Sequence, residues 1–405
     1  MMARALVDPR PPIPVAYRTE ERIAIQGMAR NFAMNKVLPV ANELDPIHGL
    51  IPDSMRKEMG ELGFFGILVS ERYGGLGLGV FEYALVTEEL ARAWMSVASI
   101  IARSGMASGL DPTQRAKIMP LAARGEWLGA FAMSEPDAGS DIASIRTRAE
   151  KTDGGWLING QKMWCTFADQ SNGILVVARA TPYDPRNRHA GIRQFIVHKE
   201  PNSFPPGVTG NPIRKIGYHG WNTYELAFSD CFVPDDCLIG YEKAVVSGDG
   251  EGFKKTAAGM TTPRIHTAAR SIGLARGALE DSIRYVQERQ QFDRKIGDFQ
   301  VIRFKIAQMA SEIEVCRALM YQTADAIDRG DPSDMQGAMV KFMASEMSER
   351  VTSEALQIHG GAGYTTDFPV ERYWRDARLT KIFEGTSEIM QRIISDSLLP
   401  PSSLR

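Results

Sequence analysis

The sequence predicts a mainly α chain with a central β-domain. Apolar residues recur at helical spacing from about Glu20 to Ala130 and again from about Gly248 onward, as in VFEYALVTEELARAWMSVASIIAR and VIRFKIAQMASEIEVCRALMYQTADAIDRG. Between about Leu128 and Leu238 the pattern changes to apolar runs of strand length, such as LGAFAM, GILVVARA and RQFIVHK. The length, 405 residues, leaves room for two or three cores. The expected division is a helical domain over 1–128, a β-domain over 129–243 and a helical bundle over 244–405.

Along the chain, ERYGGLGLG interrupts the first helices as a glycine-rich loop. In WLINGQKMW, Asn159-Gly160 stands between apolar runs and predicts a hairpin turn. TYELAFSDCFVP continues the strands, and the polar stretch RATPYDPRNRHAG reads as an exposed loop. TAARSIGLARGALEDSIRYVQERQQF opens the C-terminal helices, and KFMASEMSERVTSEALQIHGG stops at glycines, as a helix end does. These helices are long enough for an antiparallel bundle.

Charged residues are 24% of the chain, apolar ones 44%, and the net charge is −2. Nothing there suggests a nucleic-acid surface or a membrane-binding face, and no apolar stretch is long enough to span a bilayer. The start, MMARALVDPRPPIPVAYRTEE, lacks a signal-peptide core. Cys165, Cys231, Cys237 and Cys316 form no CxxC pair and no zinc pattern, so no metal is expected and a reduced, cytoplasmic protein is the simplest reading.

GxGxxG, P-loop, HExxH and GxSxG patterns are absent, which counts against a Rossmann NAD enzyme, a nucleotide triphosphatase and a serine hydrolase. Less general constellations remain. FAMSEPDAGSDIAS follows a strand and turns through Pro, Gly and Ser, exposing N–H groups and hydroxyls; alone it reads as a plain Asx-type loop. In NGQKMWCT, Trp164 and Thr166 alternate onto one strand face, which suits a flat ligand with polar edges and equally suits a core Trp. QIHGGAGYTTDFPVERYWRDAR places Gly360, Gly361 and Gly363 at a helix end, either as caps or as a close approach for a phosphate. KIFEGTSEIM sets Glu384 just before a helix, with Thr386 or Ser387 as N-cap; the helix dipole favours an acid there whatever its use.

Together these stretches resemble the acyl-CoA dehydrogenase family of flavoenzymes. AMSEPDAGSDIAS matches the family's first signature and QIHGGAGYTTDFPVERYWRD its second, including Asp367, Arg372 and Asp376. ERQQF, the Trp–Thr pair and FEGTS fall where the family has them, so the resemblance runs from about Glu20 onward. It implies a helical domain, a β-barrel domain and a four-helix bundle, with FAD as cofactor.

The resemblance further implies roles. Phe131, Met133 and Ser134 would touch the isoalloxazine ring, with Trp164 and Thr166 covering its other side and Thr166 donating near N5. Arg289, Gln291, Phe292, Ile296, Phe299, Gln300, Gln357, Gly360 and Gly361 would meet the diphosphate and adenosine, partly across subunits; Thr386 and Glu388 would meet the AMP half. Glu384 would take the α-proton while its N–H holds the thioester oxygen, and Gly385, Ser140, Tyr364 and Arg264 would lie with the substrate or the base. The product would be a trans-2-enoyl-CoA, the electron acceptor electron-transfer flavoprotein, and the assembly a homo-oligomer, as a dimer of dimers.

Some branches of the family carry the base near MTTPRIH, where this chain has Thr262, Pro263 and Arg264 and no acid; Glu384 is the base consistent with the family. Arg103 stands in the apolar run MSVASIIARSGM, and a buried cation needs a partner. Arg103 either pairs with a protein acid, points to an interface or meets a carboxylate on the acyl group, the last of which would make the substrate a succinyl- or glutaryl-type mono-CoA thioester. Trp221, where a small residue is usual, either narrows the cofactor entrance or packs. An acyl-CoA oxidase, a non-redox acyl-CoA lyase and a non-catalytic binding member are the rival readings.

Overall fold

The computed structural model describes residues 13–239 and 260–399; the expected boundary at 243/244 lies outside them. In chain order the helices are α1 (Glu20–Phe32), α2 (Leu38–Leu44), α3 (Asp53–Glu61), α4 (Val80–Ala93), α5 (Met95–Ile100) and α6 (Pro112–Ala123). Strands β1 (Gly129–Ala132), β2 (Arg148–Thr152), β3 (Gly155–Thr166), β4 (Gly173–Arg179), β5 (Ile192–His198), β6 (Val208–Pro212) and β7 (Thr223–Pro234) follow. Then come α7 (Thr261–Glu288), the short β8 (Gln290–Gln291) and β9 (Arg294–Lys295), α8 (Gln300–Asp328), α9 (Asp334–His359), α10 (Val370–Thr380) and α11 (Ser387–Leu398). The protein is therefore mostly helical with a central curled sheet.

The chain packs as two compact units, one made of residues up to 49, 79–99 and from 264 onward, the other of 50–78 and 100–263. In the first, side-chain caps start the helices: Thr19 accepts from Arg22 N, and Thr386 from Ile389 N at 3.3 Å. The long helix expected over 80–103 is instead broken. Trp94 is extended (φ −157°, ψ 114°) with its indole wholly buried, α5 follows, and Ile101–Gly109 tightens to 3-10 geometry. Helical periodicity continues through the break, so the pattern alone does not reveal it. Gly273 and Gly277 on α7 let α4 approach; a Cβ on Gly273 would stand 2.5 Å from the Glu88 carbonyl. Across that contact runs a buried ionic network. Arg92 binds Glu280 at 2.7 Å and Asp281 at 2.9 Å, and Arg276 and Arg317 bind Glu88. Arg372 donates to the Ala93 carbonyl and to Asn42, so the charged residues of the second signature are partly structural.

The second unit holds a seven-stranded sheet in the order β1-β4-β2-β3-β7-β6, with β5 also paired to β4. Ile158, Ile174, Val176, Phe195 and Leu226 line its core, each such buried side chain contributing about 1.5–3 kcal/mol. The hairpin expected at Asn159-Gly160 is not there: β3 runs through it, and the β2–β3 turn is at Asp153-Gly154, with Gly154 at φ 72°. Asn159 instead exchanges hydrogen bonds with Asp230, and the ladder to β7 shifts register at Gly160. A Cβ on Gly160 would stand 2.6 Å from Thr147 Oγ1, so this glycine serves a close approach within a bulge. Trp221 is buried, edge-on to Phe167 at 5.1 Å; it packs. No helix among the described residues is long and apolar enough to cross a membrane, and all four cysteines are buried and free.

Candidate active site

Glu384 sits in the loop between α10 and α11, in the left-handed region at φ 52°, and Gly385 follows at φ 91°. Such a conformation costs an L-residue about 1–2 kcal/mol, and the surroundings hold it there. Thr386 caps α11, and Ser387 donates to Glu346 Oε1 at 2.6 Å. From α9, the buried Lys341 ends 2.5 Å from the Gly385 carbonyl. Burial takes the Lys341 ammonium down to about 8 against the pull of Glu384, with nearby Arg270 adding to the drop.

Two side chains of α7 clamp the carboxylate. Thr267 Oγ1 donates to Glu384 Oε2, and Arg270 Nη2 donates to Oε1 at 2.7 Å. Burial pushes the Glu384 carboxyl up, but the Arg270 and His266 charges and the two hydrogen bonds outweigh it and hold the group at about 2. Its side chain nevertheless keeps 32% of its surface exposed, against 1% for Arg270. The Glu384 N–H donates to no acceptor among the described residues. A carboxylate and a free backbone donor therefore sit on one residue, which is what removing a proton beside a carbonyl requires.

Arg270 was not foreseen. It has seats at Ser99 Oγ (3.0 Å), Thr267 Oγ1 (3.0 Å) and, over its face, the Phe383 ring (4.6 Å). His266 beside it stacks on Tyr83 and meets the Ala98 carbonyl. The signal was available in RIHTAARSIGLARGAL: an arginine among small residues on a helix buried nearly all round poses the same question as Arg103. Arg264, the arginine expected near the base, pairs with Asp334 at 3.1 Å.

In the other unit, two of the expected stretches run side by side. Met163 N donates to the Ser134 carbonyl at 2.8 Å and Lys162 Nζ to the Met133 carbonyl at 2.9 Å. Lys162 also pairs with buried Glu135 (2.8 Å), whose carboxylate accepts from Arg146 N and Thr147 N and so fixes the loop after β1. Burial takes Lys162 down to about 8 despite that partner. A register shift between Lys162 and Cys165 puts Trp164 at φ 63° with its indole 58% exposed, while Phe131, Met133, Ser134 and Thr166 are half-buried and Ser140 exposed. Thr166 Oγ1 lies 2.9 Å from Thr223 Oγ1, which also accepts from Lys215 Nζ at 3.0 Å. The Thr223 oxygen has two lone pairs, so the Thr166 hydroxyl can either donate to it or accept from it and keep its own hydrogen for an outside acceptor. Arg103 is half-buried and makes no ion pair among the described residues.

The third group lies after α7 and α9. Phe292 (φ 53°) and Asp293 (φ 57°) form the two-residue turn between β8 and β9, and Phe292 is 87% exposed, edge-on to Phe299. Arg289, Gln291, Gln300, Gln357, Gly360, Gly361, Tyr364 and Glu388 are exposed, and Ile296 is half-buried. Gly360 is at φ 59°, and no atom lies within 4 Å of where a Cβ would stand on Gly360 or Gly361. Open glycine backbone together with exposed Arg and Gln side chains has the chemistry that suits a diphosphate, and an exposed indole with a threonine hydroxyl two residues on has that of a flat polar ring. Among the described residues no group of His, Cys, Asp or Glu could hold a metal ion.

Family comparison agrees along the length of the chain. The acyl-CoA dehydrogenase N-terminal, middle and C-terminal domain models match residues 19–126, 130–231 and 250–399. An acyl-CoA dehydrogenase of Bacillus subtilis is 38% identical over 94% of this chain and 98% of its own. A benzylmalonyl-CoA dehydrogenase of Aromatoleum aromaticum is 38% identical over 93% of this chain and 97% of its own. The solved butyryl-CoA dehydrogenase of Megasphaera elsdenii superposes with a TM-score of 0.86 at 33% identity, covering 94% of this chain and 98% of that one. The chain belongs to the acyl-CoA dehydrogenase family.

Proposed function

We propose that Glu384 is the base that starts α,β-dehydrogenation of an acyl-CoA thioester to the trans-2-enoyl-CoA. One observation carries the assignment: a clamped carboxylate, open on one side, shares its residue with an unpaired N–H. FAD is the family's cofactor and, when bound, accepts the hydride that leaves Cβ. The chain's own part is to hold the thioester oxygen on the Glu384 N–H, lowering the cost of the developing enolate, and to take the Cα proton on the carboxylate. Gly385, Ser140, Tyr364 and Arg264 are assigned to the substrate and the base's surroundings.

For the cofactor, Phe131, Met133, Ser134, Trp164 and Thr166 are assigned to the ring, with the Thr166 hydrogen as donor. Arg289, Gln291, Phe292, Ile296, Phe299, Gln300, Gln357, Gly360 and Gly361, with Thr386 and Glu388, are assigned to the diphosphate and AMP. The exposure of Phe292 supports a site completed by a second copy, and hence a homo-oligomer; electron-transfer flavoprotein is the acceptor that membership of the family suggests.

The substrate class we favour is an acyl group with a second carboxylate. Arg103 supports it, being half-buried without a carboxylate partner among the described residues. So does the benzylmalonyl-CoA relative, whose acyl group carries such a carboxylate. Anaerobic bleaching of the flavin band by a panel of acyl-CoA thioesters is the test. Bleaching by a dicarboxyl thioester supports the reading, and no bleaching by any thioester rejects it. Rapid reoxidation by oxygen would make the protein an oxidase.

A further inference from the structure

We propose that Arg270 receives a carboxylate whose carbon lies within about two bonds of the acyl Cα, taking it in exchange for Glu384. This rests on the dehydrogenase reading above and narrows its substrate.

The geometry begins with the cation. Arg270 is buried on α7, and its contacts other than Glu384 are neutral: the Ser99 and Thr267 hydroxyls, the His266 carbonyl at 3.4 Å and the Phe383 ring. Its ion pair is with Glu384, whose side chain keeps 32% of its surface exposed. The group best placed to reach Arg270 from solvent is therefore whatever displaces Glu384.

Charge explains why that group should be an anion. Before reaction the guanidinium and the Glu384 carboxylate balance. When the Cα proton moves to a Glu384 oxygen, that residue becomes neutral and the buried guanidinium loses its counter-ion, which is costly in a desolvated place. A carboxylate on the substrate restores the balance without itself reacting: the Cα–H bond breaks toward Glu384 and the Cβ–H pair leaves to FAD. The exchange also strengthens the base, because Arg270 is the largest influence holding the Glu384 carboxyl down against burial.

Distance sets the chain length. A base takes a proton from a carbon about 3–3.5 Å away, and a charge-assisted N–H···O bond spans about 2.8 Å. Arg270 Nη2 is 2.7 Å from the base oxygen. A carboxylate of malonyl or succinyl type, one or two bonds from Cα, spans that gap without the chain folding back on itself.

The test uses FAD-loaded protein and the variants Arg270→Met and Arg270→Lys. Anaerobic flavin bleaching is compared for succinyl-type, glutaryl, adipyl and butyryl CoA thioesters. Calorimetry measures binding of two CoA thioethers, one ending in a carboxylate and one in a methyl group. The expected result is that succinyl-type thioesters bleach the parent fastest. In Arg270→Met the succinyl-to-butyryl rate ratio and the carboxylate-to-methyl affinity ratio both fall by about 100-fold, and Arg270→Lys recovers part of each. Equal loss on both thioesters with unchanged affinity ratio would reduce Arg270 to a positioning residue for Glu384. A parent optimum at glutaryl or longer would also overturn the proposal. No bleaching by any thioester would instead reject the dehydrogenase reading, and the thioether ratio would still decide for or against Arg270.

Discussion

Lys341 fixes the Gly385 carbonyl from below, so a buried ammonium on α9 holds the backbone one residue beyond Glu384. Replacing it by methionine leaves that carbonyl without its donor, a loss of about 1–3 kcal/mol. Lys341→Met should lower the melting temperature and slow flavin bleaching by about 100-fold, because a small displacement of a reacting group is costly. The same change in a Glu384→Gln background should cost stability and no further rate. A full second loss of rate there would show that Lys341 acts apart from the base.

Glu384→Gln should keep a yellow, FAD-loaded protein and lose at least about 1000-fold in the rate of reduction by acyl-CoA. The parent makes a second prediction through pH. Its free-enzyme carboxyl is held at about 2, so kcat/KM should show no acid limb from this group above about pH 4. Thr267→Val removes a hydrogen bond to the charged form and should move that limb upward. A variant Glu384→Gln that reduced its flavin at the parent rate would return the acid to a role in starting α11.

Thr223→Val removes the hydroxyl that lies 2.9 Å from Thr166 Oγ1 and 3.0 Å from Lys215 Nζ, so the Thr166 hydroxyl loses its orienting partner. Bound FAD should show a shifted visible spectrum and a lower reduction potential, with bleaching slowed about tenfold, in line with loss of one oriented hydrogen bond. An unchanged spectrum and potential would detach Thr166 from the ring.

Arg103→Ala tests the distal cation. If a far carboxylate meets Arg103, the variant should lose about tenfold on adipyl-CoA relative to butyryl-CoA while succinyl-type thioesters change little. Equal activity of parent and variant on all of them would remove Arg103 from the site.

The ionic network of α4 and α7 predicts acid sensitivity. Burial raises the Glu280 carboxyl, but Arg92, Arg276 and Arg30 bring it down to about 2 from an ordinary 4.5. A folded value below the unfolded one means the stabilisation is complete above about pH 4.5 and is lost as pH falls toward 2. Glu280→Gln should cost about 3–5 kcal/mol at neutral pH and flatten that acid slope, as read by denaturant melts.

Most of the architecture was legible in the chain. The change of period at either end of the β-region, the glycines closing α9 and the cap before α11 all have local causes that a sequence displays. The misses share a different cause. Asn159-Gly160 obeys turn chemistry, but its partners are Asp230 and Thr147, which only the folded sheet brings near. The break at Trp94 leaves helical periodicity intact. Arg270 and Lys341 do not stand out in the sequence because their burial depends on neighbours far along the chain. Glu384 itself was legible through the resemblance of FEGTS and its context, whereas the clamp around it was not.

The left-handed backbone at Glu384 has a consequence for how such a site can decay. At φ 52° glycine would be more comfortable by about 1 kcal/mol, so the main chain alone would welcome the loss of the acid. The buried guanidinium of Arg270 opposes it, since stranding that charge costs about 3–5 kcal/mol. A single mutation that removes this acid is therefore uphill whether or not catalysis is under selection. Drift to an inactive descendant would have to pass through position 270 first, and a descendant that keeps arginine there would be expected to keep its acid.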